Sequence, residues 1–169
     1  MKRNVITAEK TLLVGLGFIL LFMIFHDWVP LGPLNDVSAV FAEQSLQEVI
    51  TVALIGSVQI LLLLGLVWWF RGRKYPLLAK LWLIIHQSSI FIGVLLAWWV
   101  PYFFNYGAEA RAERYERLFG NTHSFLPEMN GITPNTLHFL FHLTLLGCIL
   151  LSIYVTRRSR FQIDSLSIE

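Results

Sequence analysis

Charged residues are scarce in this chain of 169 residues: only 14% are Asp, Glu, Lys or Arg, whereas 56% are hydrophobic. A soluble globular domain usually has about 25% charged and about 45–50% apolar residues. The chain therefore has too little charge to cover the surface of a soluble domain of this length. Its single cysteine, Cys148, excludes an intrachain disulfide and a thiolate metal cage, and it is predicted to be a small buried residue.

Several sequence motifs that identify enzymes and cofactor proteins are also absent. The chain has no glycine-rich phosphate loop, no GxSxG nucleophile elbow and no CxxCH haem-attachment motif. It also lacks the paired broken helices of transporters built from inverted repeats. Its basic residues are explained by membrane orientation and anionic lipid headgroups, so we do not expect nucleic-acid binding.

The chain has instead four long apolar runs, at about residues 11–29, 48–70, 78–104 and 135–156. Each is close to the ~17–25 residues that a helix needs to cross a hydrocarbon core about 30 Å thick. The short connections leave no room for a soluble domain. The sequence therefore predicts one integral membrane domain over residues 1–169, an all-α antiparallel bundle of four transmembrane helices.

The basic residues are distributed unevenly along the chain. Ten of the 13 Lys and Arg residues lie at the two termini or between spans 2 and 3, whereas the connection between spans 1 and 2 has none. Cytoplasmic segments of membrane proteins are enriched in Lys and Arg. The sequence therefore predicts a multi-pass protein with both termini in the cytoplasm and with connections 1 and 3 on the extracytoplasmic side.

Local patterns predict how the spans begin and pack. Gly15 and Gly17 indicate a notch where a neighbouring helix can approach span 1 closely. The alternation of apolar and charged residues over 107–119 predicts a short amphipathic helix on the outer side, between spans 3 and 4. Thr133 and Pro134 are typical of an N-cap followed by the first helical residue. The short second connection predicts a tight hairpin of spans 2 and 3.

Four of the five histidines fall on the predicted extracytoplasmic side. His138 and His142 lie one turn apart on span 4, where two imidazoles can serve one metal ion. Imidazole and carboxylate groups suit zinc, iron or copper. The sequence predicts a polar pocket formed by His26, Asp27, His123, His138 and His142. Three roles are open for these residues: a site for a divalent metal such as zinc, a metal-free acid–base or ligand site, and hydrogen bonds that only join the helices.

A second polar cluster lies within the predicted spans. His86 and Gln87 are on span 3, and Gln59 and Ser57 are near the middle of span 2. Polar side chains at this depth usually form interhelical hydrogen bonds, worth about 0.6–2 kcal/mol each. We therefore expect Gln59 and Ser57 to be the partners of His86 or Gln87.

Three functions remain open at this point. The first is a membrane protein whose pocket binds a metal, and a metal-activated water there could act on a substrate at the interface. The second is a non-enzymatic accessory or assembly subunit, which contacts another membrane protein or a second copy of itself and whose histidines only join helices. The third is an electron-transfer protein that binds haem between two histidines. The lipid bilayer is the partner common to all three.

Overall fold

A computed structural model describes residues 6–166, with side chains as far as residue 159. Residues 1–5 and 167–169, which belong to the predicted cytoplasmic termini, lie outside the described part. The described backbone is helical, in the order α1 (Thr7–Phe25), a 3-10 turn (Gly32–Leu34), α2 (Ser38–Glu43), α3 (Leu46–Phe70), α4 (Leu77–Val94), a π-helical turn (Leu95–Trp99), α5 (Val100–Phe104), α6 (Glu109–Phe119) and α7 (Thr136–Leu166).

Four of these segments are long and apolar enough to cross a membrane: Thr7–Phe25, Leu46–Phe70, Leu77–Phe104 and Thr136–Ser159. The prediction of an all-helical protein with four such helices is therefore confirmed. The third segment is one continuous path through α4, the π-helical turn and α5. These helices are those of a multi-pass integral membrane protein, because a helix satisfies its own backbone hydrogen bonds in hydrocarbon.

The first helix ends at Phe25, earlier than the sequence predicts, so His26 and Asp27 follow the helix instead of belonging to it. Pro30 has no N–H to donate to the carbonyl of His26, and a side chain from the next connection takes its place. Asn35 is buried, and its Nδ2 donates to the carbonyl oxygens of His26 at 2.6 Å and of Val29 at 2.9 Å. Carbonyls at a helix end need such partners when water cannot reach them.

The last helix begins at Thr136, so the predicted N-cap at Thr133 is wrong. Asn135 has that role, because its Oδ1 accepts a hydrogen bond of 2.9 Å from the backbone N–H of His138. This is the contact by which an N-cap side chain satisfies a free donor of the first turn. The cap also fixes the rotation of α7 at the point where its two histidines begin.

The helices pack in the order α3, α1, α7, α4, so α1 and α7 are central in the bundle. The predicted tight hairpin of spans 2 and 3 is wrong, since α3 and α4 barely touch each other. The inward face of α3 packs against α1, and that of α4 packs against α7. Buried apolar residues of all four helices form one core, including Leu12, Leu16, Ile19, Ile60, Leu63, Leu83, Leu145 and Cys148.

A buried carboxylate joins α1 to the connection between α3 and α4. Glu9 is fully buried, and its Oε1 accepts from the backbone N–H of Gly72 at 3.3 Å and from the Tyr75 hydroxyl at 3.5 Å. Its Oε2 accepts from the N–H of Ile6 at 3.2 Å. A buried charged group needs hydrogen bonds of this kind to offset its lost hydration. The contact places the start of α1 beside the basic connection.

The predicted close-packing notch is confirmed at Gly15 and is absent at Gly17. A Cβ at position 15 would lie 2.6 Å from Cys148 Sγ, whereas one at position 17 would meet no heavy atom within 4 Å. We expect Gly15→Ala to destabilise the protein by about 1–3 kcal/mol, because it overpacks the contact between α1 and α7. Gly17→Ala is the matched control, and it should not destabilise.

Thermal unfolding of the detergent-purified variants measures the difference. Adding Cys148→Ala to Gly15→Ala removes the sulfur atom and should restore most of the lost stability. Equal unfolding midpoints for Gly15→Ala and Gly17→Ala would contradict the close approach of α1 and α7.

Candidate functional site

His26 and Asp27 form a pair directly after α1. The His26 Nδ1 lies 2.9 Å from the carbonyl oxygen of Phe22, and its Nε2 lies 3.0 Å from Asp27 Oδ1. A ring that donates to both oxygens is doubly protonated, whereas a neutral ring with its proton on Nδ1 keeps a lone pair on Nε2. The same arrangement therefore suits an ion pair or a metal ligand, depending on one proton.

His138 and His142 both lie in the first turns of α7, and both rings pack against Trp98 of the third span. The Nδ1 of His138 lies 2.8 Å from Oδ1 of its cap residue Asn135. Since this amide oxygen can only accept, Nδ1 carries the proton and Nε2 of a neutral ring has the lone pair. His142 is 3% exposed, and its Nδ1 is buried with no hydrogen-bond partner among the described residues.

The structure brings three histidines and Asp27 together, and we call His26, Asp27, His138 and His142 the histidine cluster. The ring centroids of His26 and His138 are 5.9 Å apart, and those of His138 and His142 are 6.2 Å apart. The Trp98 ring lies 5.0 Å from that of His138 and 5.9 Å from that of His142. Trp98 thus covers His138 and His142, whereas the side chains of His26 and Asp27 remain 17% and 20% exposed.

His123 lies apart from the histidine cluster. Its ring is exposed, and its Nδ1 lies 2.8 Å from the Thr136 hydroxyl at the start of α7. Its backbone joins three segments, since its N–H donates to the carbonyl of Pro33 and its carbonyl accepts from the N–H of Thr136. Among the described residues, no ring contact connects His123 to the other histidines. Its contacts are those of a residue that holds the third connection against the first.

The second polar cluster has a different partner from the one the sequence suggests. Gln87 is fully buried on α4, and its Nε2 donates to Ser152 Oγ of α7 at 3.0 Å, not to Gln59 of α3. Gln59 is remote from α4 because α1 and α7 lie between α3 and α4. His86 stacks on Trp82, with ring centroids 5.2 Å apart. Gln87 and Ser152 therefore tie two helices together.

An irregular turn of the third span lies beside the histidine cluster. Pro101 has no N–H, so it cannot donate to the carbonyl of Ala97 one turn earlier. The backbone widens into the π-helical turn over Leu95–Trp99, and the Tyr115 hydroxyl of α6 donates to the Ala97 oxygen at 3.0 Å. The amphipathic helix thus supplies the hydrogen bond that the proline removes.

A second contact ties α6 to α2. Arg117 and Arg114 donate to the two carboxylate oxygens of Glu43 at 3.1 and 3.2 Å. The hydrogen bond from Arg117, with that from Arg114 and their positive charges, lowers the pKa of Glu43 below its usual value. A lowered carboxyl pKa means that this tie is present above the usual Glu pKa and is lost as the pH falls through the lowered one.

The fold and the polar residues define a class, a multi-pass membrane protein with a partly buried histidine cluster at one end of its bundle. Comparison with models of protein families, with curated proteins and with solved structures finds no match to this chain. In the part of the chain that the structure describes, no group of three or more His, Cys, Asp or Glu side chains is placed to hold a metal ion as it stands.

Sequence reasoning missed three residues that shape the site. Asn135 was readable from its spacing, because an Asn three residues before His138 suits an N-cap. The role of Tyr115 was readable in part, since Pro101 must free a carbonyl one turn earlier. The position of Trp98 over two imidazoles gave no local signal, because it depends on α4 packing beside α7.

The hydrogen bond from Tyr115 is testable. Tyr115→Phe leaves the Ala97 carbonyl without a donor, and we expect it to lower the free energy of unfolding by about 1–3 kcal/mol. Burial raises the pKa of Tyr115 above its usual 10.0. The hydroxyl therefore contributes this stability below pH 10 and loses it as the pH rises through the raised pKa.

Tyr106→Phe is the matched control, because Tyr106 is 80% exposed. Thermal unfolding in detergent compares the two variants at neutral pH. If Tyr115→Phe and Tyr106→Phe unfold at the same temperature, the hydroxyl of Tyr115 does not support the third span.

Proposed function

We propose that this chain is a metal-binding integral membrane protein, in which His26 and His138 supply the first two ligands of a divalent ion such as zinc. The observation that carries the proposal is the orientation of the two imidazoles. In each ring Nδ1 lies 2.8–2.9 Å from an oxygen acceptor, Phe22 O or Asn135 Oδ1. Metal-ligating histidines almost always donate their other N–H to such an acceptor, which directs the lone pair at the ion.

Asp27 is the third ligand or the group that orients His26. Its Oδ1 lies 3.0 Å from His26 Nε2. Two ligand atoms about 2.0–2.1 Å from a tetrahedral zinc lie roughly 3.3 Å from each other, so the spacing needs only a small change. An ion and a proton compete for Nε2, so metal binding should release protons and weaken as the pH falls. The side chains of the histidine cluster must rotate before their ligand atoms reach one ion together.

We propose that this cluster lies on the extracytoplasmic side. The start of α1 contacts the basic connection of α3 and α4 through Glu9, and the end of α1 contacts the start of α7 through the histidines. Those contacts support an antiparallel arrangement, and the positive-inside rule directs the basic connection to the cytoplasm. In this orientation α6 covers the outer mouth of the bundle.

Packing supports a single ion over haem. The ring centroid of His138 lies 5.3 Å from that of Phe22, 5.0 Å from that of Trp98 and 4.9 Å from that of Phe119. A haem needs a flat slot between its two axial ligands, and these aromatic side chains fill the space around the ring. The accessory-subunit interpretation predicts protein without metal, and the experiment below separates it from the proposal.

Metal titration of the purified protein tests the proposal. We expect one zinc ion per chain by elemental analysis and by calorimetry. His26→Ala and His138→Ala should each weaken binding by at least about tenfold, and Asn135→Ala by about 10–100-fold, because that variant releases the ring of His138. His123→Ala and His86→Ala are controls that should bind as the unchanged protein does.

A protein that binds neither zinc nor copper would overturn the metal site and favour the accessory subunit. Equal losses in His123→Ala and His138→Ala would place the ion elsewhere. A Soret band in the visible spectrum of the purified protein would favour haem.

The orientation has its own test. In a Cys148→Ala background, cysteines introduced at the exposed positions Ala42 and Glu128 should react with an impermeant thiol reagent in intact cells. A cysteine at Pro76, exposed in the basic connection, should react only after lysis. Labelling of position 76 in intact cells would invert the topology and place the histidine cluster in the cytoplasm.

A further inference from the structure

A lipid-facing groove runs between the third span and α7, on the side away from α1. Its volume is about 410 Å³, within the ~300–1,000 Å³ of small-molecule sites. Its wall is aromatic and aliphatic, with His142 as its one imidazole, and it includes Phe91, Trp99, Phe103, Phe139 and Leu143. Since lipid surrounds this part of the bundle, a molecule reaches the groove from the bilayer.

His142 is the feature that distinguishes this groove from an ordinary crevice between helices. It is 3% exposed, it forms part of the wall, and its Nδ1 has no hydrogen-bond partner among the described residues. A buried polar atom without a partner costs about 1–3 kcal/mol. Nδ1 is closed to a water-sized molecule with the ring as it stands, so the ring must rotate toward the groove before an oxygen or a hydroxyl of a bound molecule offsets that cost.

The groove on the other side of α7 provides a comparison within the same molecule. It has about 330 Å³, is equally apolar and is lined by Phe22, Leu21 and His26. Both ring nitrogens of His26 already face oxygens of the protein. Of these two grooves, only the one at His142 offers an imidazole that needs a partner.

The π-helical turn shapes this wall. Leu95 and Trp99, at its two ends, both line the groove, and the Trp99 ring lies 5.9 Å from that of His142 and 6.0 Å from that of Phe139. π-turns inside α-helices occur frequently at functional sites. Aromatic rings arranged around one imidazole suit a bound molecule with a flat ring, because that ring can stack on them or contact them edge to face.

We propose that this groove binds a lipid-soluble molecule with a flat ring and a ring-bound oxygen, of the quinone or phenol class, and that His142 makes its one polar contact. The aromatic wall holds the ring, and any apolar tail extends along Leu143 and Leu146 into the lipid. The imidazole N–H donates to a carbonyl oxygen of the bound molecule, or the other ring nitrogen accepts from its hydroxyl. This site is independent of the metal proposed at His26 and His138.

Binding of a benzoquinone with one isoprenoid unit tests the proposal, with the oxygen-free alkylbenzene of the same shape as the comparison probe. The protein is used as the full chain in lipid nanodiscs, and equilibrium dialysis against nanodiscs without protein measures the binding of both probes. We expect the quinone to bind about tenfold more tightly than the hydrocarbon, the effect of one hydrogen bond worth about 1.4 kcal/mol. His142→Leu should abolish this preference and leave hydrocarbon binding unchanged.

Two filling variants locate the site. Leu143→Trp places a large ring in the groove and should lower the affinity for both probes, whereas Leu21→Trp fills the groove beside His26 and should leave both affinities unchanged. Unfolding temperatures of all variants confirm that they are folded. Equal affinity of the unchanged protein for the two probes, or a preference that survives His142→Leu, would overturn the proposal and leave a groove for lipid acyl chains only.

Discussion

In hydrocarbon every backbone N–H and C=O must find its partner inside the protein, and the rest of this structure depends on how the third span meets that constraint. Pro101 leaves the carbonyl of Ala97 without its usual donor, and the hydroxyl of Tyr115 replaces it. Because Tyr115 belongs to α6, the replacement docks the amphipathic helix on the bundle. Phe119, one turn further along α6, then lies 4.9 Å from the ring of His138. The carbonyl freed by Pro101 is thus one of the contacts that hold α6 beside the histidine cluster, together with the tie of Arg114 and Arg117 to Glu43.

Much of the fold was predictable from the sequence, because a hydrophobic run of the right length has few alternatives to a membrane helix. The residues at which the helices end were less predictable. The end of α1 depends on the side chain of Asn35, nine residues beyond His26. The start of α7 depends on Asn135, although Thr133 and Pro134 are the more conspicuous capping residues. The order of the helices had no signal, since helices in lipid are apolar on every side and the short second connection favoured a hairpin that does not form.

The candidate site was also predictable only in part. Residue type and membrane side brought five side chains under consideration, and the structure gathers four of them, whereas His123 hydrogen-bonds Thr136 instead. The hydrogen bond of His26 was beyond sequence reasoning, because the orientation of that ring depends on where α1 ends. The contact of His138 with its cap residue Asn135 could have been read from the spacing of the two residues. The partner of Gln87 was not predictable either, because Ser152 is 65 residues away on α7.

The central position of α7 has a consequence for how the chain is made. Ribosomes release the helices in the order α1, α3, α4, α7, yet α4 has its main packing surface only on the helix that arrives last. Until then the amide of Gln87 lacks its partner Ser152, and Leu12 and Leu16 of α1 lack the core residues that α7 supplies. A nascent chain that stops before residue 136 therefore holds α1 and α3 as a pair and α4 as a lone helix. Assembly of this bundle is completed from its C-terminal end.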